Sequence, residues 1–348
     1  MKISVRHICP RFSCISALLL LALLACGDSR ETRLQRFLLQ GNDQVKKGND
    51  ARAMAYYRAA LDLDSCFAHA WNNLGTVYYQ QQNYEEALAH YNHAIDCREE
   101  YTEALLNRAN TYYELRQFYS ALKDLDKVSG IAPDTAVLHF SRGLVYAQMR
   151  EYSKALASFQ NALKKDPDNP EILINLGTVY YYESEYDSAR LHLAEALQLD
   201  STEANAYNTL ALLEAQDGNH PQATEHINKA LNLEPGDPYF LNNRGYILLM
   251  QGENEKALED INESIMRDPY NAWAYRNKGI YYLKKGDAPN AIRLLTQALE
   301  MSDFIEKGHY YLGEAYLLSG DKQKACEQFR QAVRQKEVSE EIWERHCR

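Results

Sequence analysis

The sequence predicts an all-α fold, an α-solenoid of stacked helical hairpins, on three observations. The string NLGTVYY stands at 73–79 and returns unchanged at 175–181, 102 residues later, which is three times 34. Set in rows of 34, the chain keeps its columns of small residues through nine rows without insertion or deletion. One column is alanine in every row, from Ala53, Ala87 and Ala121 to Ala291 and Ala325. Within a row the apolar residues recur twice at helical spacing, as at Trp71, Leu74 and Tyr78 and then Ala87, Tyr91 and Ala94. A single hairpin cannot bury both of its apolar faces, whereas a stack of hairpins can.

The first 25 residues read as an export signal. Lys2, Arg6 and Arg11 make a basic head, and Phe12 to Ala25 is an apolar run of about 14 residues, short of the roughly 20 that span a bilayer. The run ends in Leu23-Leu24-Ala25-Cys26, which resembles the bacterial lipobox, with Leu24 bulkier than the commonest residue at its place. That resemblance implies cleavage before Cys26, acylation of its thiol and a lipid-anchored chain of the bacterial cell envelope. Gly27, where an aspartate would imply retention at the inner membrane, favours the outer membrane, on its periplasmic face or its surface. Without residues 1–25 the chain carries 35 basic against 48 acidic side chains, a net charge of −13, so acyl chains and not electrostatics must hold it to an anionic bilayer. Residues 26–33 form a tether of at most about 25 Å, which keeps the first row close to the membrane; Asp28 or Ser29 can cap an extended first helix.

The nine rows are 34–67, 68–101, 102–135, 136–169, 170–203, 204–237, 238–271, 272–305 and 306–339. Gly48, Gly218, Gly252, Gly286 and Gly320 stand between the two helices of their rows, suited to a left-handed helix stop. Pro133, Pro167, Pro235 and Pro269 end second helices. The column of Gly75 and the columns of Ala87 and Ala94 lie where the two helices approach most closely. Residues 340–348 continue the frame, with Trp343 in the column of Trp71, and read as a capping helix whose charges face water.

These rows resemble the tetratricopeptide repeat family. Trp71, Leu74, Gly75, Tyr78 and Ala87 match its signature, with Tyr91 in the phenylalanine place; Gly143, Tyr146, Ala155, Phe159 and Pro167 do so in the fourth row. The resemblance covers 306 of 348 residues. It implies a right-handed superhelix whose first helices line a concave groove for partner proteins or peptides. In this frame the groove holds the column of Asn73, with Asn107, Asn175, Asn243 and Asn277, and the column of Tyr79, with Tyr113 and Tyr181 and then Leu249, Leu283 and Leu317. An asparagine ladder can pair with an extended peptide backbone, and tyrosines can cover apolar side chains; equally, both residue types are common at these places in the family. The change from tyrosine to leucine along the second column suggests two groove zones. Some family members clamp a terminal carboxylate with basic residues; here Asn42 and Asn73 fit that clamp, but Leu38, Glu103 and Asn107 stand where its cations belong.

No phosphate loop, nucleophile elbow or paired Cys-x-x-Cys is present, and the rows leave no room for a catalytic domain, so the chain reads as non-enzymatic and free of cofactors. The acidic charge argues against nucleic acid. His90, His93 and Cys97 share a helix face, as metal ligands would. Their columns oppose this: the two histidines stand in solvated columns, and Cys97 shares a buried one with Leu63, Ile131, Leu199 and Leu233. Cys326 lies on the face that meets the cap bearing Cys347, which points to a Cys326–Cys347 disulfide. A Cys66–Cys97 bond, between the turn-side ends of adjacent second helices, and buried free thiols are the alternatives. The expected role is a membrane-anchored scaffold for envelope proteins or peptides, such as an adaptor in pilus or secretin assembly or for cell-wall enzymes. The rival is a receptor for a small ligand or glycan stacked on the tyrosine-rich groove. Nothing in the rows specifies an oligomeric state.

Overall fold

The computed structural model describes residues 29–132, 134–302 and 304–348; the export segment, Cys26 and Pro133 lie outside them. Among the described residues there are nineteen helices and no strand. The chain divides into two compact units at Met149/Arg150, between the two helices of the fourth row. Unit one holds α1 (Arg30–Lys46), α2 (Asp50–Leu63), α3 (Ala68–Gln80), α4 (Tyr84–Cys97), α5 (Thr102–Glu114), α6 (Phe118–Ile131) and α7 (Ala136–Gln148). Unit two begins with α8 (Tyr152–Lys165), α9 (Pro170–Tyr182), α10 (Tyr186–Leu199), α11 (Ala204–Gln216), α12 (His220–Leu233) and α13 (Pro238–Gln251). It continues with α14 (Asn254–Arg267), α15 (Ala272–Lys284), α16 (Ala288–Met301), α17 (Gly308–Leu318), α18 (Lys322–Arg334) and α19 (Glu340–Cys347).

The helix ends follow local chemistry. Ser29 accepts from the backbone N–H of Thr32 and lets α1 run 17 residues, longer than any other helix. Asn169 and Asp237 cap α9 and α13 in the same way, each followed by proline at the first helical position, where no N–H is needed. Between the helices of the rows one residue takes a left-handed conformation. It is glycine at Gly48, Gly218, Gly252, Gly286 and Gly320, and a residue with a side chain at Gln82, Arg116, Arg150 and Ser184, all 34 apart. The stop is therefore a property of the row and not of glycine alone.

Within each unit second helices pack on the first helix of their own row, where both lie in that unit, and on that of the next row, and successive first helices touch one another, as α9, α11, α13, α15 and α17 do. The result is two layers of helices around a continuous core. The alanine column beginning at Ala53 and the column of Ala60, Ala94 and Ala162 are fully buried in every row. Where that second column holds Ser264, the hydroxyl donates to Pro238 O at 2.6 Å and accepts from Asn271 Nδ2, which satisfies the buried hydroxyl.

Two expectations need correction. The column of Cys97 is not buried: Ile131, Leu199 and Leu233 are exposed, because the last residue of a second helix reaches the rim of its hairpin. The last row also departs from the frame. Lys307 takes a left-handed conformation and α17 starts at Gly308, two residues late, while Ile305 fills the core. No helix among the described residues is long and apolar enough to cross a membrane.

Candidate functional site

The columns of Asn73 and Tyr79 do lie on first helices, but their side chains are largely engaged. In unit one Asn73 Nδ2 donates to Asn42 Oδ1 at 2.8 Å and Asn107 Nδ2 to Asn72 Oδ1 at 3.0 Å; Asn72 in turn donates to Asn73. Tyr79 donates its hydroxyl proton to Glu114, and Tyr113 accepts from Gln148 at 3.1 Å. Each of these bonds except Asn72 to Asn73 joins one row to the next. Burial, with the Glu114 charge behind it, pushes the Tyr79 hydroxyl well above the usual tyrosine range, so it stays a neutral donor at pH 7.

In unit two Asn175 donates to Glu171 O of its own helix at 2.9 Å. Asn243 donates to Asn208 Oδ1 at 2.8 Å and Asn277 to Asn242 Oδ1 at 2.7 Å. Asn277 is fully buried, so its assignment to a partner-contacting groove is corrected: its amide is spent inside the stack, where an unpaired polar group would be costly. Leu249 is likewise fully buried against Ile280 and Tyr281, which removes it from a second groove zone. The ladder's first duty is to register one row on the next.

What remains open is a pocket of about 420 Å³ in unit two. Four first helices build it. Thr178, Tyr181 and Tyr182 come from α9, Asn208 and Leu212 from α11, Asn242, Asn243 and Tyr246 from α13, and Trp273 and Arg276 from α15; Glu306 and Lys307 close one side. Of the residues expected in the groove, the pocket brings together Tyr181 and Asn243; Asn73, Tyr79, Asn107 and Tyr113 belong to the other unit. Sequence reasoning missed the columns of Asn208, Asn242 and Arg276 and of Thr178, Leu212 and Tyr246. Each lies seven or three residues before the Tyr79 column and so shares its helix face, a signal that helical spacing already contained.

The pocket floor carries a directed chain of hydrogen bonds. Arg276 donates from Nε and Nη2 to Asn277 Oδ1 at 3.0 and 2.8 Å, Asn277 to Asn242, Asn242 to Asn243 at 3.3 Å, and Asn243 to Asn208. The Arg276 guanidinium lies 5.1 Å from the Tyr246 ring centre and 4.9 Å from that of Trp273. Its Nη1 donates to Glu306 O at 2.9 Å, a contact created by the late start of α17. Burial, with the Glu306 charge next, raises the Tyr181 hydroxyl far above its usual range. Partial desolvation, then Tyr152 and Glu306, raises Tyr182, which is 48% exposed. Both present protonated hydroxyls at neutral pH.

The four cysteines among the described residues are paired. Cys66 is bonded to Cys97, with Cα atoms 5.3 Å apart, and Cys326 to Cys347, at 5.6 Å. Among the described residues no group of three or more His, Cys, Asp or Glu is placed to hold a metal ion. His93 is exposed, but His90 is not the solvated residue its column suggested. It is half-buried, its ring 5.6 Å from Trp71 and 4.8 Å from Tyr78, with Nδ1 donating to Glu86 O. Burial lowers its pKa.

A family model described as Tetratricopeptide repeat matches residues 38–102, 106–170, 140–204 and 276–340, and a second with the same description matches 226–259. No curated protein sequence matches the chain. Among solved structures, an IFIT1 monomeric mutant with Gppp-AAAA is 20% identical with a TM-score of 0.56, over 76% of this chain and 69% of that one. The APC/C hetero-tetramer Cut9-Hcn1 is 18% identical with a TM-score of 0.51, over 88% of this chain and 74% of that one. Pseudomonas aeruginosa PilF is 22% identical with a TM-score of 0.47, over 62% and 99%. Identities this low speak to the fold alone. The repeats matched over more than half of its length, on a two-layer stack of helical hairpins, show that the chain belongs to the tetratricopeptide repeat family, in general a family of protein–protein interaction scaffolds.

Proposed function

We propose that the protein is a non-enzymatic scaffold, held by an acylated Cys26 at a membrane of the bacterial cell envelope, the outer one favoured, where it captures a partner protein or peptide on the first-helix face of unit two. The pocket of about 420 Å³, walled by tyrosines, Trp273 and amides, carries this reading. Aromatic walls cover apolar side chains, and amides pair with a backbone. The anchor rests on the basic head, the apolar run and the placement of Cys26. Crosslinking in intact cells tests both parts. A Tyr181→Ala/Trp273→Ala protein should lose the partner set that the wild type retains, while Asn107→Ala/Tyr113→Ala keeps it. Cys26→Ser should move the protein out of the membrane fraction. An unchanged partner set in the pocket variant removes the pocket from the account.

A second reading, a receptor for a small ligand or glycan, draws on the pocket volume, which falls in the range of about 300–1,000 Å³ usual for such ligands. A native mass spectrum of the purified protein with a stoichiometric small adduct, absent in Trp273→Ala, would favour it.

A further inference from the structure

We propose that Arg276 is an anion-reading subsite within this pocket, and that the segment bound there presents a carboxylate beside an apolar side chain. The inference rests on the pocket being the partner-binding surface and adds the chemistry of what it takes.

Among the described residues only two charged side chains are buried, Asp124 and Arg276. Asp124 is answered by Arg108, which donates from Nε and Nη2 to its two oxygens at 2.7 Å each. Arg244, less buried, holds Asp260 in the same two-bond grip at 2.6 and 2.7 Å, and Arg190 reaches Glu214 and Asp217. This chain therefore pairs its partly buried arginines with carboxylates. Arg276, 6% exposed, is the exception: its acceptors are the neutral Asn277 Oδ1 and the backbone oxygen of Glu306.

A guanidinium has five N–H donors. Three are used, leaving one on Nη1 and one on Nη2, the number that the two oxygens of a carboxylate accept. Glu337 acts on this cation only through space, its Oε2 accepting from Tyr310 N; a buried cation with no hydrogen-bonded carboxylate is unfavourable, and a carboxylate supplied by a ligand offsets part of that penalty. The column supports the same reading. Asn72, Asn208 and Asn242 stand where Arg276 stands, and each offers its Oδ1 to an asparagine of the next row. Arg276 offers no acceptor; it begins the hydrogen-bond chain with a positive charge instead.

The rest of the pocket agrees. Lys307 adds a second cation that meets no acceptor among the described residues, against the single carboxylate of Glu306. The pocket is thus locally cationic in a chain of net charge −10. The long-range repulsion of an acidic partner by that charge is screened beyond about 8 Å at physiological ionic strength, so the local cations decide the contact. Tyr181, Leu212 and Met250 in the same wall give an apolar neighbour its seat. This is not the basic clamp of some family members, whose places fall in the first three rows; Arg276 lies in the eighth.

The test is titration calorimetry of the full chain with the doubly capped peptide Ala-Leu-Glu-Phe-Ala and its glutamine counterpart. Charge-assisted hydrogen bonds should make the glutamate peptide bind about ten- to a hundredfold more tightly to the wild type. In Arg276→Gln the ratio of the two affinities should fall to about one, with the circular dichroism spectrum unchanged. Arg276→Lys, which keeps a cation, should retain part of the preference, and it serves if the glutamine variant does not fold. Equal binding of the two peptides to the wild type overturns the anion subsite and leaves the pocket as a peptide site. Binding of neither peptide overturns both the subsite and the peptide-binding pocket.

Discussion

A Cβ placed on Gly75 would sit 2.6 Å from the ring of Tyr91, and one on Gly313 2.6 Å from the ring of Phe329. Glycine is needed there because an aromatic ring lies flat against the backbone of the facing helix. Two rows hold alanine in the same column, Ala109 and Ala211, and their facing residues are the aliphatic Leu125 and Ile227; Gly177, Gly245 and Gly279 also face aliphatic residues, so an aliphatic partner permits alanine without requiring it. Gly75→Ala should therefore destabilise unit one by about 1–3 kcal/mol through overpacking, which outweighs the roughly 1 kcal/mol that alanine gains over glycine in helix propensity. Adding Tyr91→Leu to Gly75→Ala should recover part of the loss, since it recreates the pairing of Ala109 with Leu125. Urea melts of the two single variants and the double variant give the coupling energy; strict additivity would remove the ring from the explanation.

At the scale of elements, the two disulfides fall at the ends of the array. Cys66–Cys97 ties the turn after α2 to the end of α4, and Cys326–Cys347 ties α18 to α19. A terminal repeat has a neighbour on one side only and is the first to fray. The cap α19 has eight residues, too few to hold as a helix without tertiary contacts. Besides its disulfide it has the Trp343 ring 3.6 Å from the Arg330 guanidinium and the Arg330–Glu340 ion pair. Exposed pairs of that kind contribute little. Cys347→Ser should thus lower the local stability of 340–347 by about 2–4 kcal/mol, read as faster amide exchange there with exchange in α9 to α15 unchanged. Unaltered protection in 340–347 would show that packing alone holds the cap.

At the scale of the molecule, tyrosines set the alkaline limit. Burial raises Tyr79, Tyr101, Tyr181 and Tyr311 above their usual range, and takes Tyr91 to about 12. A group whose folded pKa is raised contributes stability that is whole below the unfolded value of about 10 and is lost as the pH climbs toward the folded value. Stability should therefore be insensitive to tyrosine ionisation at neutral pH and fall steeply above about pH 10, with several protons released on unfolding. Denaturant melts from about pH 8 to 11, alongside tyrosinate absorbance, check this. A flat profile would mean that these hydroxyls ionise as readily in the folded chain as in the unfolded one.

The sequence by itself determined the period, most starts and stops of the helices, the fully buried alanine columns and the helix face on which the open pocket lies. These are local properties, written in each row by spacing, by capping residues such as Ser29 and by the left-handed position between helices. Repetition made them legible, because each row repeats the statement of the last. Only the tertiary structure decided which residues of that face stay open. Asn277 and Leu249 share columns with partly exposed neighbours such as Asn243 and Leu283 yet are fully buried, since burial depends on what the next row brings up against them. It likewise decided that α17 starts late, that Glu306 meets Arg276 as a result, and that one arginine stands buried between two rings with no carboxylate among its hydrogen-bond acceptors. Those facts arise from residues some 30 positions apart converging on one point, and no single row records that convergence.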